Sequence, residues 1–319
     1  MSPNLKLPPD QQQVLILGWP KTASSSVFKW LADHPQIFCS NIEESFLFID
    51  QENPYFNRRG FSIQKDGIEK FFELFKGSNK KQAWLEGTTH SVYQNYMMNF
   101  VSQNMESTNA IIILREPVAR IFSSFIASQN NFSNISKKLT WSKYVESLLD
   151  NNIESLRSYY SNIYSYESSK NQLASSNYAF WIKKWKKVLP DKKLHILFFE
   201  DIKSDPRNLM KCLVRDMGLE ESFYDNYVFD KKNITLNIKY PFIHKFAIKL
   251  RPLIKDSFFV SQVKKIYLKK NTVNLKNDLY SEENQDASDK LKKYLKSNVI
   301  ELSSLLNKDL SSWMKDRKD

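Results

Sequence analysis

Four short apolar runs restrict how this chain can fold more than any other feature: Val14–Leu17, Ala83–Leu85, Ala110–Leu114 and Leu194–Phe199. The first, third and last are almost unbroken, as strands buried on both faces of a parallel sheet must be. Between them lie stretches with helical spacing of apolar residues: Ser25–Asp33, Gly67–Phe75, Val92–Gln103, Pro117–Ala127 and Tyr178–Leu189. Parallel strands need long crossovers and helices supply them, so the expected fold class is α/β, a parallel sheet flanked by helices on both faces.

Helix punctuation agrees. Pro117 follows a strand and suits a first helical turn, and "SDPRNLMKCLVRDMG" reads as a cap, a proline at the helix start and a stop at Gly218. Residues 128–177, rich in Ser and Asn, read as an insertion of loops and helices. From 231 to 319 the strand pattern fades and a basic helical C-terminal region is expected. A length of 319 residues suits one large domain, with 14–219 as its recognisable core.

The net charge of +12 suits an anionic partner, and it is uneven: from Lys239 to Lys270 nine Lys or Arg stand against one acid, Asp256. Cys39 and Cys212 are the only cysteines and have no metal-ligand spacing around them, which points to a reducing compartment. The opening "MSPNLKLPPD" has no basic segment leading into an apolar one, and no apolar run approaches the ~20 residues of a membrane span. A soluble, cytoplasmic protein is the expectation.

The stretch "VLILGWPKTASSSVFKWLADHP" carries the first chemistry. Strand, tight turn and helix bring backbone N–H groups and the positive end of a helix together on an anion. In the Mg-ATP loop a glycine precedes the lysine at the loop's end. Here Pro20 precedes Lys21 and the small and hydroxyl residues follow it, so a P-loop-like site of another kind is expected. The order resembles the P-K-[TS]-G-[TS]-[TS] loop of the sulfotransferases, which use 3′-phosphoadenosine 5′-phosphosulfate (PAPS). The resemblance implies that Lys21 stabilises the leaving phosphate, that Thr22, Ala23, Ser24, Ser25 and Ser26 line the phosphosulfate, and that no metal is required. Ala23 replaces the family's glycine. That is awkward where φ is positive and harmless if the residue is already helical.

A second stretch, "AIIILREPVARIFSSF", resembles the family's strand followed by R-[DN]-P-x-x-R-x-x-S-x-[YF]. By that resemblance Arg115 and Ser123 bind the cofactor's 3′-phosphate, a task that suits a guanidinium fork. A third, "SSNYAFWIKKWKKVLPDKKLHILFFEDIKSDPRNLMKCLVRDMGL", matches Tyr178, Trp185, Glu200, Asp201 and Pro206 in order. Trp185 reads more simply as core.

Sulfuryl transfer also needs a base for the acceptor proton. "NIEESFLF" is similar to the E-x-x-F-F stretch of the heparan-type carbohydrate sulfotransferases, with Glu44, Leu47 and Phe48 matching, which makes Glu44 the base and a carbohydrate hydroxyl, or an amine, the acceptor. Glu43, one residue earlier, stays open as an alternative. So does His90 of "WLEGTTHSVY", since the small-molecule enzymes use a histidine in a comparable place. The same stretch resembles the E-K-[ST]-P-x-Y segment of the carbohydrate enzymes, which assigns Glu86, Thr88 and His90 to the acceptor cleft, with Gly87 and Thr89 departing from it. His34, His195 and His244 read as structural or surface residues.

In many members a late basic loop with a K-G-R pattern covers the 3′-phosphate, and this chain has no such pattern. "KYPFIHKFAIKLRPLIK" could attract an anionic acceptor, lie on a membrane surface as a basic helix, or be a solvated face. Nucleic acid is not an expected partner. The rival readings are a P-loop kinase, disfavoured by the missing Gly-Lys-Ser/Thr, and a non-catalytic nucleotide-binding protein.

Overall fold

The computed structural model describes Leu7 and residues 10–78, 82–130, 134–230 and 281–315, with the backbone of 237–238 and 272–273. The chain divides into two compact units. The first draws on Met1–Arg120, Ala174–Asn233 and Ser297–Trp313; the second on Ile121–Leu173, Ile234–Lys296 and Met314–Asp319.

The first unit is built on a parallel sheet of β1 (Gln13–Ile16), β2 (Ile37–Cys39), β3 (Ala83–Gly87), β4 (Thr108–Leu114) and β5 (Leu194–Phe198), in the order β2-β3-β1-β4-β5. Each expected strand is present. β1 lies between β3 and β4, with Ile16 opposite Gly87 on one side and Ile111 on the other. The order reverses beside β1, and in open α/β sheets ligand sites form at the carboxyl ends of strands at such a point.

One face of the sheet presents Val14, Ile16, Ala83, Leu85, Ile111 and Ile113 to α1 (Ser24–Ala32) and to helices that follow β5. The alternate residues Leu15, Leu17, Ala110, Ile112 and Leu114 are equally buried, so helices cover both faces. The connection from β2 to β3 holds two short helices, α2 (Ile63–Asp66) and α3 (Glu69–Glu73). Their sequence reads as one helix from Gly67 to Phe75, but Gly67 itself takes φ 87° and caps α2, which breaks the run.

The expected helix at Val92–Gln103 is likewise split. Residues Ser91–Tyr93 form a 3-10 turn, and α4 (Asn95–Asn104) follows with its first N–H groups held by Asp50: Asn95 and Tyr96 donate to its carboxylate at 2.9 and 2.7 Å. α5 (Pro117–Asn130) opens with Glu116 accepting from the N–H groups of Val118 and Ala119. It begins in the first unit and continues into the second.

The second unit contains α6 (Trp141–Leu149) and α7 (Ile163–Lys170), capped by Thr140 and Asn162. Phe125 stacks on Tyr144, and the Trp141 indole donates to Ser288 at 3.0 Å. The short α8 (Gln172–Ser175) leads back to the first unit.

There α9 (Tyr178–Val188) buries Trp185 completely, and its indole donates to the carbonyl of Val92, whose N–H in turn donates to Leu17 at the end of β1. The core reading of Trp185 holds. After β5 come α10 (Phe199–Ser204) and α11 (Pro206–Asp216); Asp205 caps α11 with Pro206 in its first turn, and Gly218 ends the segment at φ 75°.

α12 (Glu282–Leu306) is a long helix near the end of the described residues. β6 (Asn237–Ile238) and β7 (Thr272–Val273) pair antiparallel where helices alone were expected. The basic stretch from Lys239 to Lys270, His244 included, lies outside the described residues. Among the described residues no helix is long and apolar enough to cross a membrane.

Candidate functional site

Residues 17–23 join β1 to α1. Two of them are left-handed, Lys21 at φ 72° and Ala23 at φ 73°, with Thr22 between them. The Thr22 hydroxyl donates to the Trp19 carbonyl at 2.8 Å and closes the turn. Left-handed residues recur in the loops whose backbone N–H groups form anion-binding concavities. Ala23 is the N-cap of α1 and supplies no capping side chain, while its carbonyl accepts from Ser26 and Val27. No side chain therefore caps the first turn of α1, and its leading N–H groups, at Ser24 and Ser25, lie at the positive end of the helix beside the loop. Ser24 and Ser26 are buried and Ser25 is half-buried.

Ala23 is thus not helical. A left-handed alanine costs about 1–2 kcal/mol. Its methyl packs against the core under the sheet, which offsets about 0.8 kcal/mol. Ala23→Gly is expected to leave stability within about 1 kcal/mol of the parent, because the relief of strain, the lost packing and the looser unfolded chain nearly cancel; urea unfolding measures it.

Arg115 follows β4, and its guanidinium donates to the Lys21 carbonyl at 2.9 Å while lying 4.4 Å from the Phe199 ring centre. Tyr178 of α9 donates to the Arg115 carbonyl at 3.0 Å. The Tyr178 hydroxyl also bonds Arg120, which is 1% exposed and donates to Ser176 at 2.6 Å. Two cationic side chains therefore meet at the start of α1. Burial, and then the charge of Arg115, lower the Lys21 ammonium to about 8. Arg120 and Tyr178 stand in the quoted motifs, but spacing alone does not reveal that they brace Arg115.

On the β3 side, Glu44 is half-buried and its carboxylate accepts from the Thr89 hydroxyl at 2.5 Å. Glu43 is exposed. Arg59 donates to the backbone carbonyls of both, at 3.2 Å for Glu44 and 2.9 Å for Glu43. Thr89, a departure from the family pattern, is thus the partner of Glu44.

Glu86 and Thr88 are each 1% exposed: Glu86 Oε1 accepts from the Ser45 and Thr88 hydroxyls, and Thr88 Oγ1 accepts from the Phe46 N–H. Gly87 stands where the resemblance expects a lysine. A Cβ there would lie 2.7 Å from the Phe28 ring of α1, so a side chain would have to displace it.

His90 is buried, bonds the Tyr93 hydroxyl through Nδ1 and packs 4.4 Å from Tyr55. Burial, then the charges of Arg58 and Arg120, lower its pKa to about 3, which makes it a weak base. His34 is buried against Glu220, and His195 bonds Asn109, in keeping with structural roles. Ser123 is half-buried on α5, in the second unit. Among the described residues no group of three or more His, Cys, Asp or Glu could hold a metal ion.

Residues 11–237 match the family model of the sulfotransferase domain. The crystal structure of a sulfotransferase from Alicyclobacillus acidocaldarius superposes with a TM-score of 0.63 over 96% of this chain and 99% of its own, at 16% identity, a likeness of fold. The sulfotransferase domain of the curacin biosynthetic pathway aligns at a TM-score of 0.45 and 13% identity over 94% of this chain and 99% of its own. Mouse sulfotransferase SULT7A1 complexed with PAP aligns at 0.40 and 15% over 67% and 62%. No curated protein sequence matches.

Proposed function

The chain belongs to the sulfotransferase domain family, and from that premise we propose that it moves the sulfuryl group of PAPS to a carbohydrate hydroxyl, in the manner of the heparan-type enzymes. In that reaction the acceptor oxygen bonds to sulfur, the bond from sulfur to the 5′-phosphate oxygen breaks, and 3′,5′-bisphosphoadenosine (PAP) leaves. The protein has to take one proton, stabilise one leaving phosphate and hold the two reactants in line.

The observation that carries the reading is the Arg115–Lys21 contact, which gathers two cations and the uncapped start of α1 at the end of β1. A donor with phosphates at both 5′ and 3′ positions asks for such a pair. Lys21 with the N–H groups of residues 22–25 and the hydroxyls of Ser24, Ser25 and Ser26 would hold the phosphosulfate and stabilise the departing oxygen. Arg115 would bind the 3′-phosphate. Glu44 would be the base: its carboxylate is half-buried and oriented by Thr89, whereas Glu43 is exposed and His90 a weak base.

Titration with PAP and a PAPS-dependent screen of sugar, phenol and peptide acceptors test the reading together. Sulfated sugar confirms it. No PAP binding overturns it, binding without transfer favours a non-catalytic protein, and sulfation of phenols alone moves the chain to the small-molecule enzymes.

Arg115→Ala is expected to weaken PAP binding by about 2–5 kcal/mol, the scale of a lost charge-assisted contact in a partly buried site. The loss includes a positioning part, because the Lys21 carbonyl is released as well. Calorimetric titration of Arg115→Ala against Arg115→Lys separates the two, since lysine restores charge but not the fork.

A further inference from the structure

Glu44 and Phe46, on either side of Ser45, are both left-handed, at φ 54° and 57°. Residues of this kind persist in that region only where their surroundings over-determine them, and they concentrate at functional sites. The surroundings here are specific. Ser45 is fully buried and donates its hydroxyl to Glu86 Oε1 at 2.7 Å. The same oxygen accepts from the Thr88 hydroxyl at 2.6 Å, and Thr88 Oγ1 accepts from the Phe46 N–H at 3.2 Å. Ser45 Oγ also accepts from the Leu47 N–H at 3.3 Å. From the outer side Arg59 grips the carbonyls of Glu43 and Glu44.

Every tie on the inner side leads to one carboxyl group near the end of β3. Glu86 is 1% exposed, and burial raises its pKa despite the two hydroxyl bonds that oppose the shift. A buried carboxyl is costly, and a residue used only to fill space would be apolar. Its oxygen does what an apolar side chain cannot: it holds the residue after Glu44 and the hydroxyl that holds Phe46. The arrangement leaves the Glu44 carboxylate turned to Thr89.

We propose that Glu86 is a positioning residue, anchoring the strained Glu44–Ser45–Phe46 turn from the sheet so that the Glu44 carboxylate meets the acceptor hydroxyl. The proposal rests on the reading of Glu44 as the base. It reassigns Glu86 and Thr88 from acceptor contacts to the scaffold beneath the base.

The experiment compares Ser45→Ala, Glu86→Ala, Glu86→Gln and Glu44→Gln for turnover with the best acceptor of the panel and for PAP affinity. Ser45→Ala and Glu86→Ala are expected to lose about tenfold to hundredfold in turnover, the cost of a misplaced reacting group, with PAP affinity unchanged. Glu86→Gln keeps an oxygen that accepts from both hydroxyls and is expected to recover most of the turnover. Should Glu86→Ala fail to fold, Ser45→Ala carries the test, with faster amide exchange across residues 43–48 as its second readout.

Parental turnover in Ser45→Ala and Glu86→Ala beside an inactive Glu44→Gln overturns the proposal and leaves the base reading standing. Parental turnover in Glu44→Gln overturns both. A Glu86→Gln as inactive as Glu86→Ala, or a parallel loss of PAP affinity, also overturns it.

Discussion

Lys21→Ala is expected to abolish measurable transfer and at the same time to stabilise the folded protein. Removing one preorganised donor from the place where charge develops costs about 10²–10³-fold in turnover, and here the donor carries a full charge. The gain in stability has a separate cause. Lys21 is held close to Arg115 and largely out of water, so its pKa falls from 10.5 to about 8. Below pH 8 the native protein carries a charge that the unfolded chain solvates better. Between 8 and 10.5 the unfolded chain keeps the proton and the native one releases it, so parental stability rises with pH across that window. The charged lysine therefore costs the fold on the order of 1–3 kcal/mol at pH 7. Thermal unfolding from pH 7 to 10 should show the parent gaining stability while Lys21→Ala stays flat. PAP should stabilise the parent far more than the variant, because a bound phosphate is the partner that the lysine lacks. A Lys21→Ala that is less stable than the parent at pH 7 refutes the desolvation argument.

The same lysine shows what the sequence could and could not disclose. The order Pro20, Lys21, Thr22 and three serines was enough to set the turn apart from an Mg-ATP loop, because the chemistry lies in which residue types follow the lysine. The strands were legible for a similar reason: a strand buried on both faces admits almost nothing polar, so Val14–Leu17 and Ala110–Leu114 announce themselves.

Backbone angles were not legible. Nothing in the letters around Ala23 decides between a left-handed cap and a first helical turn, since the answer depends on where α1 packs. Glu44 with Thr89, and Ser45 with Glu86, join residues more than 40 positions apart, so their pairing exists only once β3 lies beside β2. The bonds of Glu86 are hidden in the sequence for that reason. A carboxylate after a strand looks like a group presented to a ligand, and only its burial shows that it faces inward. Gly87 looked like a lost contact until the Phe28 ring was seen beside it.

Glu44→Gln is the second substitution expected to have a large effect, and it discriminates among three candidate bases. A positioned general base contributes about 10²–10⁴-fold. Glutamine keeps the size of the side chain and an oxygen to accept from Thr89, so the turn and the donor site should survive while the proton acceptor is lost. Turnover should fall by that factor with PAP affinity unchanged. Glu43→Gln should behave as the parent, because the Glu43 side chain is exposed and the carbonyl that Arg59 holds is kept. His90→Ala should lower turnover less than Glu44→Gln, through the lost ring contact with Tyr55 and the freed Tyr93 hydroxyl rather than through a lost base.

The profile of turnover against pH provides a second reading. A histidine held near 3 would already be neutral throughout the range in which the enzyme is assayed. The residue whose substitution removes the acid limb of the profile is the base. An inactive His90→Ala beside a fully active Glu44→Gln would reverse the assignment, and with it the argument for a carbohydrate acceptor, which rests on Glu44.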